Sequence, residues 1–371
     1  MLNNKYFLIV ILITMNIVFH FIPFERASLA PDDYAYLVQS RDVSMRGIFQ
    51  RMLNVSDRPL NYLILMLQGK FIGDNSVLAL YLLVLSSIFV LLTVYYFLLK
   101  LFNQTILAFI GSAIFCLLPN KLETYHTLIF FNINMATGIY ILSLTFFIRF
   151  VQIRKTVFLL LSLMAYTIGV FWYEVGFFLP LTLIGYCLIF DKKDYLKFLY
   201  YFLIPSLCYL FIRLLGSGGM NFSQHNVGFP GLLVANELFH HLMGRYILRS
   251  IFYGIYEFLL ISRPLLYLLI AVDILLLALL REFLKRISLK EAGKGFLLFG
   301  IACFVFFIAP LFLNQGGGIG GRHLVLPSLG VVILILWLFG RIGKVRDRIL
   351  LIFFAVLFVV CQGNAWTQVI A

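Results

Sequence analysis

The chain has 371 residues, 62% of them hydrophobic and 12% charged, with a formal net charge of +13. At a mean hydropathy of +1.00 too little polar surface exists to cover the apolar mass, which excludes a water-soluble globule. The 29 Lys and Arg are split among short breaks between apolar runs, which excludes a nucleic-acid-binding face, where basic residues gather in one patch.

Crossing about 30 Å of hydrocarbon takes roughly 17–25 helical residues, and apolar runs of that order recur from end to end. The pattern predicts an all-α, polytopic membrane protein forming a single integral domain over 1–371. The first run, 6–24, follows Lys5 and precedes Ser28-Leu29-Ala30, which has the form of a cleavage site. Its apolar core is longer than the roughly 7–15 residues usual in a signal peptide, so it is read as a span. Further spans fall near 77–99, 105–119, 131–148, 156–173, 175–190, 197–215, 264–280, 296–313, 323–340 and 348–362, about eleven transmembrane helices in all.

Placing the N-terminus in the cytoplasm makes every inner break basic, as the positive-inside rule requires. These breaks carry Arg149, Arg154 and Lys155; Lys192, Lys193 and Lys197; Arg281, Lys285, Arg286, Lys290 and Lys294; and Arg341, Lys344, Arg346 and Arg348. The outer loops are then 25–76, 216–263 and the glycine-rich 314–322. Within them, 236–262 and 60–72 are expected to be amphipathic helices in the outer interface, since counting the former as a span would push the basic 281–294 loop outside. The first outer loop breaks the charge rule with Arg26, Arg41, Arg46, Arg51, Arg58 and Lys70, a surplus that an anionic lipid phosphate explains. All five cysteines lie in or at the ends of apolar runs without metal-ligand spacing and read as small core residues.

Several polar groups stand out. Asp32 and Asp33, beside Tyr34 at the exit of the first span, are either a general base with its neighbour or a solvated helix cap or turn. Glu123 and His126 close the third span, and Glu174 sits in VFWYEVGFFLP where two spans meet. An ionisable residue bordering an apolar bundle faces a cavity or a partner, although Glu174 is also readable as a carboxylate wetted at a turn. Arg322 and His323 follow a run of glycines that lacks the Gly-Lys-Ser/Thr of a P-loop, leaving a phosphate clamp or a flexible hairpin. Asp273 lies mid-span, as a functional group or as a hydrogen bond to a neighbouring helix.

Taken in order, these pieces resemble multi-span glycosyltransferases of the GT-C fold, closest to the membrane part of the transmembrane and tetratricopeptide-repeat O-mannosyltransferases and their bacterial relatives. The resemblance rests on short motifs: the early acidic pair Asp32-Asp33, Arg58-Pro59-Leu60 leading into an amphipathic stretch, and Pro119 with Glu123. To these are added Glu174 with Pro180, and Arg322 ahead of Leu326-Pro327-Ser328. The family's histidines before Glu123 and its serine and lysine before Glu174 are absent, as is the repeat domain.

The resemblance implies transfer of a sugar from a polyprenyl-phosphate donor, such as undecaprenyl phosphate, to a glycan, cell-wall polymer, lipid or protein acceptor on the outer face, with inversion. It implies Asp32 or Asp33 as base, and Arg322, Arg58 and His323 at the donor phosphate. Glu123, Glu174, His126 and Tyr34 would position substrate, with Glu174 or Glu123 binding sugar hydroxyls or orienting Arg322, and no metal cofactor is expected. The compact chain favours a bacterial cytoplasmic (inner) membrane. The competing classes are a flippase or transporter for lipid-linked saccharides, for which no repeated halves are found, and a glycan polymerase or ligase, which would not need the acidic pair.

Overall fold

An apolar chain out of water must satisfy its backbone polar groups internally, and the helix does so segment by segment. The computed structural model describes residues 5–20, 38–54, 58–73, 75–118, 128–216, 249–261, 263–284, 293–309, 324–341 and 346–370, and all the regular structure among them is helical. In chain order the helices are α1 (Lys5–His20), α2 (Met45–Asn54), α3 (Pro59–Ile72), α4 (Ser76–Phe102), α5 (Thr105–Leu117), α6 (Phe131–Ile153) and α7 (Thr156–Trp172). They continue with α8 (Leu179–Ile189), α9 (Tyr200–Gly216), α10 (Arg249–Leu260), α11 (Arg263–Leu284), α12 (Lys294–Ile308), α13 (Ser328–Arg341) and α14 (Arg346–Ile370).

Local chemistry sets several boundaries. Pro59 opens α3 at the first helical position, where its missing N–H costs nothing. The Asn75 side chain caps α4 by accepting from Leu78 N at 3.0 Å. Asn103 and Arg154, both left-handed with φ of 53° and 61°, stop α4 and α6 and allow the tight reversals into α5 and α7.

The helices carry their polarity inside out. Along α4, Val77, Tyr81 and Leu85 are exposed whereas Ser86, Ser87 and Thr93 are buried. That distribution suits a hydrocarbon surround, where packing and interhelical hydrogen bonds rather than water exclusion join helices. The α6–α7 contact is an example, with Ser143 Oγ donating to Ser162 O at 2.8 Å and Ser162 Oγ donating to Ser143 O at 2.7 Å.

A helix occupies each expected span among the described residues. Among the described residues four stretches, Ser76–Phe102, Phe131–Ile153, Lys193–Ile212 and Asp347–Asn364, are long and apolar enough to cross a membrane. The other apolar helices among the described residues, such as Lys5–His20, Thr105–Leu117, Thr156–Trp172 and Ser328–Arg341, run only 10–17 residues. Of the cysteines, Cys116, Cys187, Cys303 and Cys361 are buried as expected, whereas Cys208 is exposed on α9 among outward-facing Leu207, Leu210 and Phe211.

The segment expected to lie as an interfacial helix over 236–262 is described from Arg249 onward, and its faces are the reverse of that expectation. Glu257 and Phe258 are buried, while Phe252, Tyr256 and Leu259 point outward. Its inner face meets α14 through Gly254 and Gly363: a Cβ on Gly254 would stand 2.6 Å from Val360 O, and one on Gly363 would run into the Gly254 carbonyl and come within 2.8 Å of Phe258 N. Only glycine at both positions permits the backbones to approach so closely.

The bundle has two chemically distinct ends. Lys100, at the end of α4, lies in the field of Arg149 and Lys5, and Gln152 Nε2 donates to its carbonyl at 2.9 Å. Tyr195 OH donates to Val151 O at 3.2 Å, bringing the Lys192–Lys197 break alongside, and the Phe296 ring packs against those of Phe102 and Phe190, bringing the start of α12 there too. The opposite end carries the start of α6, the end of α7 and the whole of α3.

Candidate functional site

The site at that second end is organised by the sharp passage from α7 to α8. Trp172 is the last residue of α7, Tyr173 is extended at φ −159° and ψ 128°, and Glu174–Gly176 form a single tight turn before Pro180 at the start of α8. The turn is pinned from below by Tyr140, whose hydroxyl donates to Tyr173 O at 2.8 Å. Its ring lies so close to Gly169 and Gly176 that a Cβ at Gly169 would come within 2.8 Å of it. Tyr166 pins the far side of the turn, donating to Phe177 O at 2.8 Å. Buried tyrosines of this kind combine a large packing surface with one directed hydrogen bond.

Glu174 is thereby held facing α3. Arg58, immediately before Pro59, pairs with it through both carboxylate oxygens: Nε donates to Oε2 at 2.6 Å and the terminal NH2 group to Oε1. The guanidinium also lies 4.3 Å over the Tyr173 ring. The two side chains retain 25% and 18% of their exposure, so the pair is mostly withdrawn from solvent. A planar fork on a carboxylate with an aromatic face beneath it is a rigid cation, fixed in position and in plane.

The far end of α3 rests on the start of α6, where Ile72 is buried with Leu128 and packs near Phe131. Over about 20 Å of helix, α3 therefore bridges the end of α7 and the beginning of α6. Between them Trp172 Nε1 donates to Asn132 Oδ1 at 2.9 Å.

Of the residues singled out in the sequence, Arg58 and Glu174 are brought together. Glu174 thus engages Arg58. Asp32, Asp33, Tyr34, Glu123, His126, Arg322 and His323 lie outside the described residues.

Two further polar clusters tie the bundle together. Gln362 Nε2 donates to Asp273 Oδ1 at 2.9 Å, joining α14 to α11, so Asp273 takes the structural one of its two readings. His20 is fully buried, its Nε2 donating to Cys116 O at 2.9 Å, while Asn16 Nδ2 donates to Ser87 Oγ at 2.7 Å. The Cys116 and Cys361 sulfurs lie 3.7 Å from opposite ring nitrogens of His20, so the three cannot converge on one metal ion. Among the described residues no group of three or more His, Cys, Asp or Glu is arranged to hold one.

The Asp273 bond makes a measurable prediction. Gln362→Leu leaves a buried carboxylate without its donor and should cost about 1–3 kcal/mol. Asp273→Leu combined with Gln362→Leu should recover much of that loss, as read from apparent melting temperatures in detergent.

Sequence reasoning passed over Gln362, Asn132, Gln68 and His20. Each is a polar residue inside an apolar run, a signal that was available but does not by itself name a partner. No protein-family model matches the chain, and a search of curated proteins returns no significant match.

Proposed function

We propose that the chain is a membrane glycosyltransferase that moves a sugar from a polyprenyl-phosphate donor to an acceptor on the outer face of a bacterial inner membrane. In this proposal the fold is GT-C-like, with about eleven spans and the N-terminus in the cytoplasm. The basic end of the bundle, with Lys5, Lys100, Arg149 and the Lys192–Lys197 break, then faces the anionic inner leaflet, and the Arg58–Glu174 end faces outward.

The observation that carries the proposal is the Arg58–Glu174 pair. Arg58 and Glu174 are 116 positions apart, and the motifs that carry them, SDRPLNYLI and VFWYEVGFFLP, each resemble a motif of the same enzyme family. Glu174 balances the Arg58 charge and fixes its plane, and the guanidinium N–H groups not spent on the carboxylate are the donors offered to a departing lipid phosphate.

Asp32 or Asp33 removes the proton from the acceptor hydroxyl as its oxygen attacks the anomeric carbon. The bond from that carbon to the phosphate oxygen breaks, the carrier departs as polyprenyl phosphate with the electron pair, and the aspartate keeps the proton. Arg322 and His323, with Arg58, offset the phosphate charge, while Glu174 holds the Arg58 guanidinium in its plane.

Asp32→Asn and Asp33→Asn test the assignment in proteoliposomes supplied with undecaprenyl phosphates carrying common hexoses. One of the two should lower transfer by about 10²–10⁴-fold, the usual contribution of a positioned base, with donor binding unchanged. Full transfer by both variants would sink the aspartate base.

A further inference from the structure

Beneath α3 the structure buries three amide atoms that have no partner among the described residues: Nε2 and Oε1 of Gln68, and Nδ2 of Asn132. Asn132 is fully enclosed and Gln68 is 8% exposed. More than nine in ten buried polar groups in folded proteins find a partner, and each one left bare costs roughly as much as a lost hydrogen bond. Gln68 is on the buried side of α3, and Asn132 is in the first turn of α6. Gln68 shares a helix face with Ile72, one turn on, and Ile72 packs at Leu128 and Phe131, next to Asn132. Asn132 is bonded to Trp172, two residues before Glu174, and Arg58 at the head of α3 holds Glu174. The bare amides thus belong to α3 and α6, which meet at Ile72 and Leu128, and the ion pair to the contact of α3 with the end of α7.

A primary amide presents a donor and an acceptor side by side, the complement of a hydroxyl-bearing carbon chain, and Gln68 has both unfilled. We propose that Gln68 and Asn132 form a hydroxyl-reading subsite that binds the sugar of the lipid-linked donor while the neighbouring cations hold its phosphate. This rests on the glycosyltransferase assignment above and adds to it the part of the site that distinguishes a glycosylated carrier from a bare one. Asn132 Nδ2 donates to one sugar hydroxyl, and the two amide atoms of Gln68 donate to and accept from others.

The test uses the full chain in nanodiscs, with binding followed by native mass spectrometry. The probes are undecaprenyl phosphate and undecaprenyl phosphates bearing glucose, mannose, galactose or N-acetylglucosamine. The unsubstituted chain should prefer at least one glycosylated carrier. Gln68→Leu should reduce that preference about five- to tenfold, as expected for one or two lost hydrogen bonds, with affinity for bare undecaprenyl phosphate unchanged. Gln68→Glu and Asn132→Asp conserve volume, and Asn132→Asp keeps the acceptor for Trp172, so both remain informative where a leucine disturbs folding; each should lose the same preference by removing a donor. Retention of the preference in these variants would mean that the amides hold only trapped water, which overturns the subsite and leaves the glycosyltransferase assignment standing. A parallel loss of affinity for the bare carrier would assign the amides to packing and would also overturn it. An unsubstituted chain that distinguishes none of the glycosylated carriers from the bare one would overturn the assignment itself and the subsite with it.

Discussion

Glu174→Gln is expected to lower the stability of the protein by about 2 kcal/mol. Breaking a fully buried pair costs about 3–5 kcal/mol and breaking an exposed one about 0–1 kcal/mol, and this pair, with 25% and 18% of its side chains exposed, lies between. The loss arises because Arg58 is left over Tyr173 without the carboxylate that offsets its desolvation. Arg58→Met alone should cost a similar amount, and the Arg58→Met, Glu174→Gln double variant less than the sum, a coupling readable from a double-mutant cycle on apparent melting temperatures. Arg58→Lys should not restore the parent value, since an ammonium cannot make the two parallel bonds to Oε1 and Oε2 nor lie flat on the ring. Under the proposed function, transfer should fall with each single variant and by more than thermal destabilisation explains at a temperature where both remain folded. A cycle with no coupling would remove the pair from the centre of the site.

Gly363→Ala carries the largest expected effect on the fold. Its Cβ would run into the Gly254 carbonyl and stand 2.8 Å from Phe258 N, both backbone atoms that no rotamer change can move. Helices α10 and α14 must separate, which uncovers Glu257 and Phe258 and disturbs the end of α14 that carries Gln362 and Asn364. The expected loss is about 3 kcal/mol or more, seen as a lowered apparent melting temperature and earlier proteolysis in the α10 segment. Gly293→Ala, where an added Cβ meets nothing within 4 Å, is the control and should be close to neutral.

Much of the helical framework was legible because hydropathy and helix punctuation are local quantities. A run of apolar residues, Asn at 75 and 103, and Pro at 59 and 180 act on their own few neighbours, and the helix boundaries near them came out within a few residues. The faces of 249–260 were not legible, because Glu257 and Arg249 look alike in a window of charges. Which of a helix's faces is inside depends on Gly254 finding Gly363, more than a hundred residues away. The turn after α7 is held by Tyr140 and Tyr166, whose partners cannot be read from residues beside it.

In the candidate site the sequence marked Arg58 and Glu174 separately, each as a charged residue at the edge of an apolar run. The family resemblance assigned Arg58 to a phosphate and Glu174 to sugar hydroxyls or to a second arginine. Their pairing is a tertiary fact, since it requires α3 to lie across the ends of α6 and α7 and Tyr173 to turn Glu174 out of the α7 helix. Gln68 and Asn132 went unnoticed because an amide in a helix is unremarkable until its surroundings are known. From the sequence alone came an all-helical chain suited to a membrane, a distribution of basic residues and a set of marked charges, all consequences of local composition. The tertiary structure alone decided which charges meet, which amides are left without partners and which helix face is inside, because a side chain's electrostatic cost is set by what packs around it.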